Sequence, residues 1–147
     1  MSSLPKPFAE IAADFEAIPD QEKLNLLLEF ADELPELPER LQGHPDLMER
    51  VLECQSPVYL FAEVEGDAVR IHATAPKEAP TTRGFASILA QGAAGLSPDE
   101  FLAMRDDMPF ELGLTKVVSP LRMRGMVGMI GRAKRQIREA LAGAAAE

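Results

Sequence analysis

Apolar side chains recur along this chain at two periods, and the changes of period divide it. Phe8, Ile11, Ala12, Phe15 and Ile18 return every three or four residues, which predicts one helical face with Pro7 in the first turn. Pro19 ends that element, and Asp20 stands where a cap for a second helix belongs. In that helix Leu24, Leu27, Leu28 and Ala31 share a face. Two short amphipathic helices in succession read as a layer docked over something else. From Pro35 to Glu53 periodicity is lost: Pro35, Pro38, Gly43 and Pro45 interrupt it, and Asp46 is expected to cap a turn through Met48, Glu49 and Arg50.

Between residues 58 and 75 the period drops to two. Val58–Val64 and Ala68–Ala75 predict strands around a hairpin turn at Glu65-Gly66-Asp67, where Gly supplies a positive φ. Val69, Ile71 and Ala73 alternate with Arg70, His72 and Thr74, so one face is wet, whereas Tyr59 and Phe61 partly cover both faces of the first strand. Helical spacing then returns. Thr81 or Thr82 is expected to cap a helix carrying Phe85, Ile88 and Leu89, ended by Gly92. Ser97-Pro98-Asp99-Glu100 spells a capping box ahead of Phe101, Leu102 and Met104. Asp106–Pro109 breaks the chain, and Ser119-Pro120 opens a final helix expected to reach about Leu141. The pattern predicts an α+β fold, a small antiparallel sheet packed against several helices, formed as one domain over residues 1–147.

Charge narrows the function. A formal net charge of −9 argues against non-specific nucleic-acid binding, which requires cations to neutralise phosphate. With no Trp and one Tyr the chain has little to stack on bases. The last 29 residues hold six cations against Glu139 and Glu147, so the acidity lies in the rest of the chain. That asymmetry reads first as solvated helix faces. Met1–Pro7 lacks the apolar run of a leader, and no stretch approaches membrane-spanning length, so the expected compartment is the cytoplasm, with no membrane partner.

The candidate chemistry centres on Cys54, the single cysteine, which has no internal disulfide partner. Pro57 disfavours helix at Ser56, so the segment is expected to be an extended loop between the helical part and the first strand. Free cysteines are commonly core residues, but the flanking Glu53, Gln55 and Ser56 are polar, and a reactive thiol stays open beside a structural one. Cys54, His44 and His72 lack metal-ligand spacing, and His72 reads as an exposed strand residue, so no metal or cofactor is expected. No nucleophile elbow or phosphate-cradling loop is present. Gly125, Gly128 and Gly131 fall inside the last helix, where close packing explains them better than nucleotide binding. Arg122 counts with Met126, Met129 and Ala133 on the apolar face, in a first turn where a cation opposes the helix dipole. It either lays its stem over the core or serves the site, whereas Arg124 counts with Arg135 and Arg138 on the solvated face.

Four motifs in order carry a family resemblance: Cys54-Gln55-Ser56 before an apolar strand, Arg83-Gly84-Phe85 opening a helix, Leu112-Gly113-Leu114, and Ser119-Pro120-x-Arg122-x-x-Gly125-Met126-x-x-Met129. With them the chain resembles the SufE family, the sulfur acceptors that partner cysteine desulfurases in iron–sulfur cluster assembly. The resemblance implies a SufE-like fold. It also implies that Cys54 takes a persulfide sulfur from a pyridoxal-phosphate-dependent cysteine desulfurase, activating it, and passes the sulfur to an iron–sulfur scaffold complex. The protein would then be a sulfur-transfer accessory and not an enzyme, a monomer or weak homodimer, with the pyridoxal phosphate belonging to the partner. Arg122 falls on the family's functional arginine and is expected to give electrostatic support beside Cys54, offsetting the repulsion between Glu53 and a thiolate. Two positions depart from the pattern: Glu53 stands where many members carry Gly, and Glu78 matches the linker's acidic residue only loosely. The rival readings are a docking or regulatory module with a structural cysteine, and a single-cysteine peroxidase, for which no general-acid motif is visible.

Overall fold

The computed structural model describes residues 4–146, so residues 1–3, part of the leader reading above, and Glu147 lie outside it. Helices α1 (Lys6–Glu16) and α2 (Asp20–Asp32) come first, followed by single 3₁₀ turns at Glu39–Leu41 and Pro45–Leu47. Strands β1 (Glu49–Arg50), β2 (Tyr59–Glu65) and β3 (Ala68–Thr74) form one antiparallel sheet with β2 in the centre. Helices α3 (Pro80–Ala93), α4 (Pro98–Ala103) and α5 (Pro120–Ala146) complete the chain, with a 3₁₀ segment at Met108–Leu112 before α5. The architecture is α+β, as the periodicity predicts.

β3 buries Val69, Ile71 and Ala73 and leaves the residues between them half-covered, so the period of two is realised along its whole length. Leu60 and Ala62 of β2 join them on the inner face, against which α3 and α5 pack. Gly66 takes φ +63° in the hairpin, the left-handed conformation the turn requires. α2 packs on the far side of α3, and α1 also lies against α3. These two helices are the docked layer, with Phe8, Phe15 and Leu27 fully buried. Burying each such side chain stabilises the fold by about 1.5–3 kcal/mol. Phe8 reaches α3 at Gly92, where an added Cβ would sit 2.5 Å from its ring; that glycine is a seat for Phe8, and α3 continues past it to Ala93.

Several local expectations change. Asp20 is the first helical residue of α2 and makes no cap; its carboxylate pairs instead with Lys23 (2.9 Å) and Lys116 (3.5 Å). α3 starts at Pro80, which carries no N–H to leave orphaned, so Thr81 and Thr82 lie inside the first turn and cap nothing. The capping box of α4 forms as read, with Ser97 Oγ accepting from Glu100 N and Glu100 Oε1 accepting from Ser97 N, both at 3.1 Å. The expected turn at Met48–Arg50 is replaced by β1, which pairs Glu49 with Leu60 and Arg50 with Tyr59. Where β1 stops, Gln136 of α5 takes over, its Oε1 accepting from Ala62 N at 2.7 Å. Gly95 and Leu96 pair with Val69 on the outer edge of β3, so both sides of the sheet are covered where the core lies beneath. His72 is half-buried, its Nε2 2.7 Å from Glu63 Oε2 and its ring stacked with Phe61, because Arg40 also folds onto Glu63 from the connection before β1.

Candidate functional site

Cys54 lies on a loop, as Pro57 predicts, although the loop joins β1 to β2 and does not follow a helix. Its neck is closed by Val51 N donating to Val58 O at 2.8 Å, one further rung of the β1–β2 ladder, and both valines are fully buried. Inside the neck, Cys54 N donates to Val51 O at 3.1 Å, and Val58 N bonds back to Ser56 O at 2.8 Å in a three-residue turn centred on Pro57. The proline has no donor to lose there. The loop is therefore tightly closed at its base, with Leu52 72% exposed on its outer side.

The inner side rests on α5. A Cβ on Gly125 would stand 2.9 Å from Cys54 Sγ, and one on Gly128 would stand 2.7 Å from a Glu53 carboxylate oxygen. Both contacts are closer than side chains tolerate, so these glycines are seats for the loop. Gly131 has only Asp106 at 3.8 Å and needs no such explanation. Close packing is thus the right reading of two glycines out of three, and what they pack against is the cysteine loop.

Beside the thiol is a cleft of about 420 Å³. The loop contributes Glu53–Ser56, the entry to α3 contributes Glu78, Ala79, Thr81 and Thr82, and the start of α5 contributes Ser119, Leu121, Arg122 and Gly125. Two helix N-termini therefore face one cavity, where their dipoles favour negative charge. Ser119 Oγ accepts from Arg122 N at 3.3 Å, holding the first turn of α5. Arg122 is brought to the Cys54 cleft as expected, and Glu78 joins it there. The apolar-face count puts Met126, Met129 and Ala133 in the core, but Arg122 itself is exposed because its turn overhangs the cleft. Its guanidinium makes no hydrogen bond or ion pair among the described residues.

The cation that touches the cysteine loop is a different one. Arg132 Nε donates to Glu53 Oε1 at 2.8 Å, with Nη2 2.6 Å from the same oxygen, while Nη1 reaches Glu49 Oε2 at 2.5 Å. Arg135 and Gln136 bind the second oxygen of Glu49. Gly125, Gly128 and Arg132 stand at i, i+3 and i+7, one stripe of α5, and that spacing was the available signal for Arg132. The pairing holds the Glu53 carboxyl below the usual carboxylate range. The thiol of Cys54, 9% exposed, moves the other way: burial first, and then the Glu53 charge, push it up to about 11, with Arg132 opposing. In this resting arrangement a sheltered thiol, its ionisation disfavoured, lies beside a cavity lined by Arg122 and two helix N-termini as well as by the carboxylates of Glu53 and Glu78. Among the described residues no three His, Cys, Asp or Glu side chains are grouped to hold a metal ion.

The family model described as SufE, the Fe-S metabolism associated domain, matches residues 9–137. The chain belongs to the SufE family. It is 51% identical over 140 residues to an uncharacterized SufE-like protein of Mycobacterium tuberculosis H37Rv and to that of strain CDC 1551, covering 95% of this chain and 96% of each relative. The solution structure of a hypothetical protein from Thermus thermophilus superposes with a TM-score of 0.82 at 34% identity, covering 95% of this chain and 98% of that one. Within this SufE-family chain the motifs divide by physical role. Arg83 is a staple: its Nε donates to Ala31 O at the end of α2 (3.0 Å) and Nη1 to Ala75 O after β3 (2.7 Å). Gly84 lets α3 approach α2, since a Cβ there would meet Leu27 O at 2.3 Å. Gly113 turns the chain at φ +67° between buried Leu112 and Leu114. Only the Cys54 segment and the Ser119–Gly125 segment meet at the cleft.

Proposed function

We propose that this SufE-family chain is a sulfur acceptor and activator of a pyridoxal-phosphate-dependent cysteine desulfurase, carrying sulfur as a persulfide on Cys54 for iron–sulfur cluster assembly. The observation that carries the reading is the seat of the only thiol: a loop tip packed into a cleft with room beyond the sulfur. A lone thiol suits a carrier, because no second cysteine is present to expel the bound sulfur as a disulfide.

The step is a thiol–persulfide exchange. Cys54, as thiolate, attacks the outer sulfur of the donor's persulfide; the donor's S–S bond breaks, its inner sulfur leaves as thiolate, and the new S–S bond sits on Cys54. No electrons are gained or lost overall. A thiol 9% exposed cannot meet a second protein's active site, so the loop swings out for the transfer, which also relieves the burial that keeps the thiol neutral. On return, the added sulfur extends into the cleft. Thr81 and Thr82, 6% and 9% exposed, line that cleft and offer hydroxyl donors, and Arg122 offers a guanidinium with no partner among the described residues. The cleft thus shelters a terminal sulfur anion from water and stray thiols until an iron–sulfur scaffold complex takes it. Residues 1–147 act in this reading as one cytoplasmic accessory domain, without a turnover site of its own.

The test is incubation with a desulfurase and free cysteine, followed by intact mass measurement. The parent should gain one sulfur atom, and Cys54→Ser none, while both bind the desulfurase alike. The burial of Cys54 favours one alternative, a docking or regulatory module with a structural cysteine. That alternative prevails if Cys54→Ser still raises desulfurase turnover to the parent's level.

A further inference from the structure

Among the described residues, side chains 52–57 of the cysteine loop make a single polar tie to the rest of the protein, the Glu53–Arg132 pair. Gln55 and Ser56 form no side-chain hydrogen bond there, and Leu52 faces solvent. Arg132 is itself fixed from behind, because its guanidinium also grips Glu49 of β1. Glu49 in turn is held by Arg135 and Gln136, one helical turn further along α5. One guanidinium therefore bridges the base of the loop and the residue next to the thiol. Gly128 leaves room for the Glu53 carboxylate to lie flat on α5, and Gly125 leaves room for the sulfur one turn earlier. The side chain next to Cys54 is thus tied to α5 at the point where the loop rests on it.

We propose that Arg132 is a positioning residue that latches the Cys54 loop through Glu53, so that release of this ion pair sets how readily a sulfur donor reaches the thiol. The proposal rests on the sulfur-acceptor reading for its purpose, but the latch is testable on the purified chain without any partner. The two roles open to Arg132 predict opposite signs. As a cation near the thiol it favours the thiolate, so its removal should slow alkylation. As a latch it keeps the thiol buried, so its removal should speed alkylation.

The experiment measures alkylation of Cys54 by iodoacetamide at pH 8, followed by mass, in the parent, Arg132→Gln, Arg132→Lys and Glu53→Ala. Amide hydrogen exchange over residues 52–56 is measured in parallel, and thermal melts confirm that each variant is folded. The latch predicts about threefold to tenfold faster alkylation in Arg132→Gln, the range expected for losing one partly exposed, multiply bonded ion pair. It predicts faster exchange at the Cys54 amide, which bonds to Val51 O at rest. Arg132→Lys should fall between, because an ammonium cannot span Glu49 and Glu53 as the planar fork does. Combining Arg132→Gln with Glu53→Ala should add little to exchange beyond either alone, since one tie is broken only once. Slower or unchanged alkylation in Arg132→Gln, with unchanged exchange, overturns the latch. If Arg132→Gln does not fold, Glu53→Ala carries the exchange test alone, and unchanged exchange there overturns it equally. Failure of the latch leaves sulfur uptake by Cys54 intact, whereas failure of the acceptor reading shows as no sulfur adduct on a chain whose loop still opens as described.

Discussion

Replacing Gly125 by Ala perturbs the site by one methyl group, and its effect can be worked from the packing. The added Cβ would lie 2.9 Å from Cys54 Sγ, 3.7 Å from Glu53 O and 3.8 Å from Cys54 Cα. Non-bonded contacts settle at roughly 3.5–4.0 Å, so the sulfur has to retreat by about 0.6 Å or more. The helix backbone cannot give way, because Met126, Met129 and Ile130 lock α5 into the core. The loop gives way, since among the described residues its side chains have a single polar tie to the rest of the protein, to Arg132. Two terms then oppose each other in stability. Ala gains about 1 kcal/mol over Gly inside a helix. Overpacking costs about 1–3 kcal/mol. The net should be a loss of about 0–2 kcal/mol, a fall in melting temperature of at most several degrees for a chain of this length. The thiol should change more. Burial is the main cause of its raised ionisation, so partial exposure should bring it down from about 11 toward the ordinary value of 9.0. One unit of that recovery increases the thiolate fraction at pH 8 by about tenfold. Alkylation rate against pH, with a thermal melt on the same samples, reads both effects. A variant that keeps the parent's pH profile and melts higher by the full helix gain would refute the claim that Gly125 is the seat of the thiol.

Three other outcomes are expected. Because the folded chain holds the Cys54 thiol at about 11, above its unfolded value, folding favours the protonated form; the resulting stability is complete below pH 9 and is lost as pH rises through 11. Its size is about 2–3 kcal/mol at 1.36 kcal/mol per unit, and urea unfolding of the parent between pH 8 and 11 should fall more steeply than that of Cys54→Ala. Arg83→Ala removes donors from Ala31 O and Ala75 O and should cost about 1–3 kcal/mol in urea unfolding, with Lys restoring at most part, because an ammonium lacks the fork. Arg122→Ala should lower sulfur transfer from a desulfurase several-fold with a melting temperature close to the parent's, while Arg124→Ala leaves transfer unchanged, because only Arg122 lines the thiol cleft. Equal transfer by the two variants would remove Arg122 from the site.

A peroxidatic cysteine and a sulfur acceptor both work as thiolates, which burial and Glu53 disfavour at rest, so either reading needs the loop to open. Glu53, the acidic neighbour of the thiol, also has a physical place: it is the carboxylate that binds the loop to α5.

The chain's own pattern determined what is local. The period-two run of β3, the left-handed Gly66, the capping box at Ser97 and the Ser119-Pro120 start of α5 are each written within a few adjacent residues, and each formed as read. The loop character of Cys54 was equally local, because Pro57 dictates the backbone beside it. Periodicity also identified the core face of α5, yet it could not say what lies on its other stripes. Gly125 and Cys54 are far apart along the chain, as are Arg132 and Glu53, whose partnership spans 79 residues. A helical spacing tells which side chains point together and is silent about the segment they meet. β1 was missed for the same reason, since two residues have no period, and they form a strand only because the edge of β2 offers unpaired backbone groups. Tertiary structure alone decided that the glycine stripe and an arginine from the last helix should carry the cysteine loop, because only packing α5 across the sheet brings that stripe beneath Cys54.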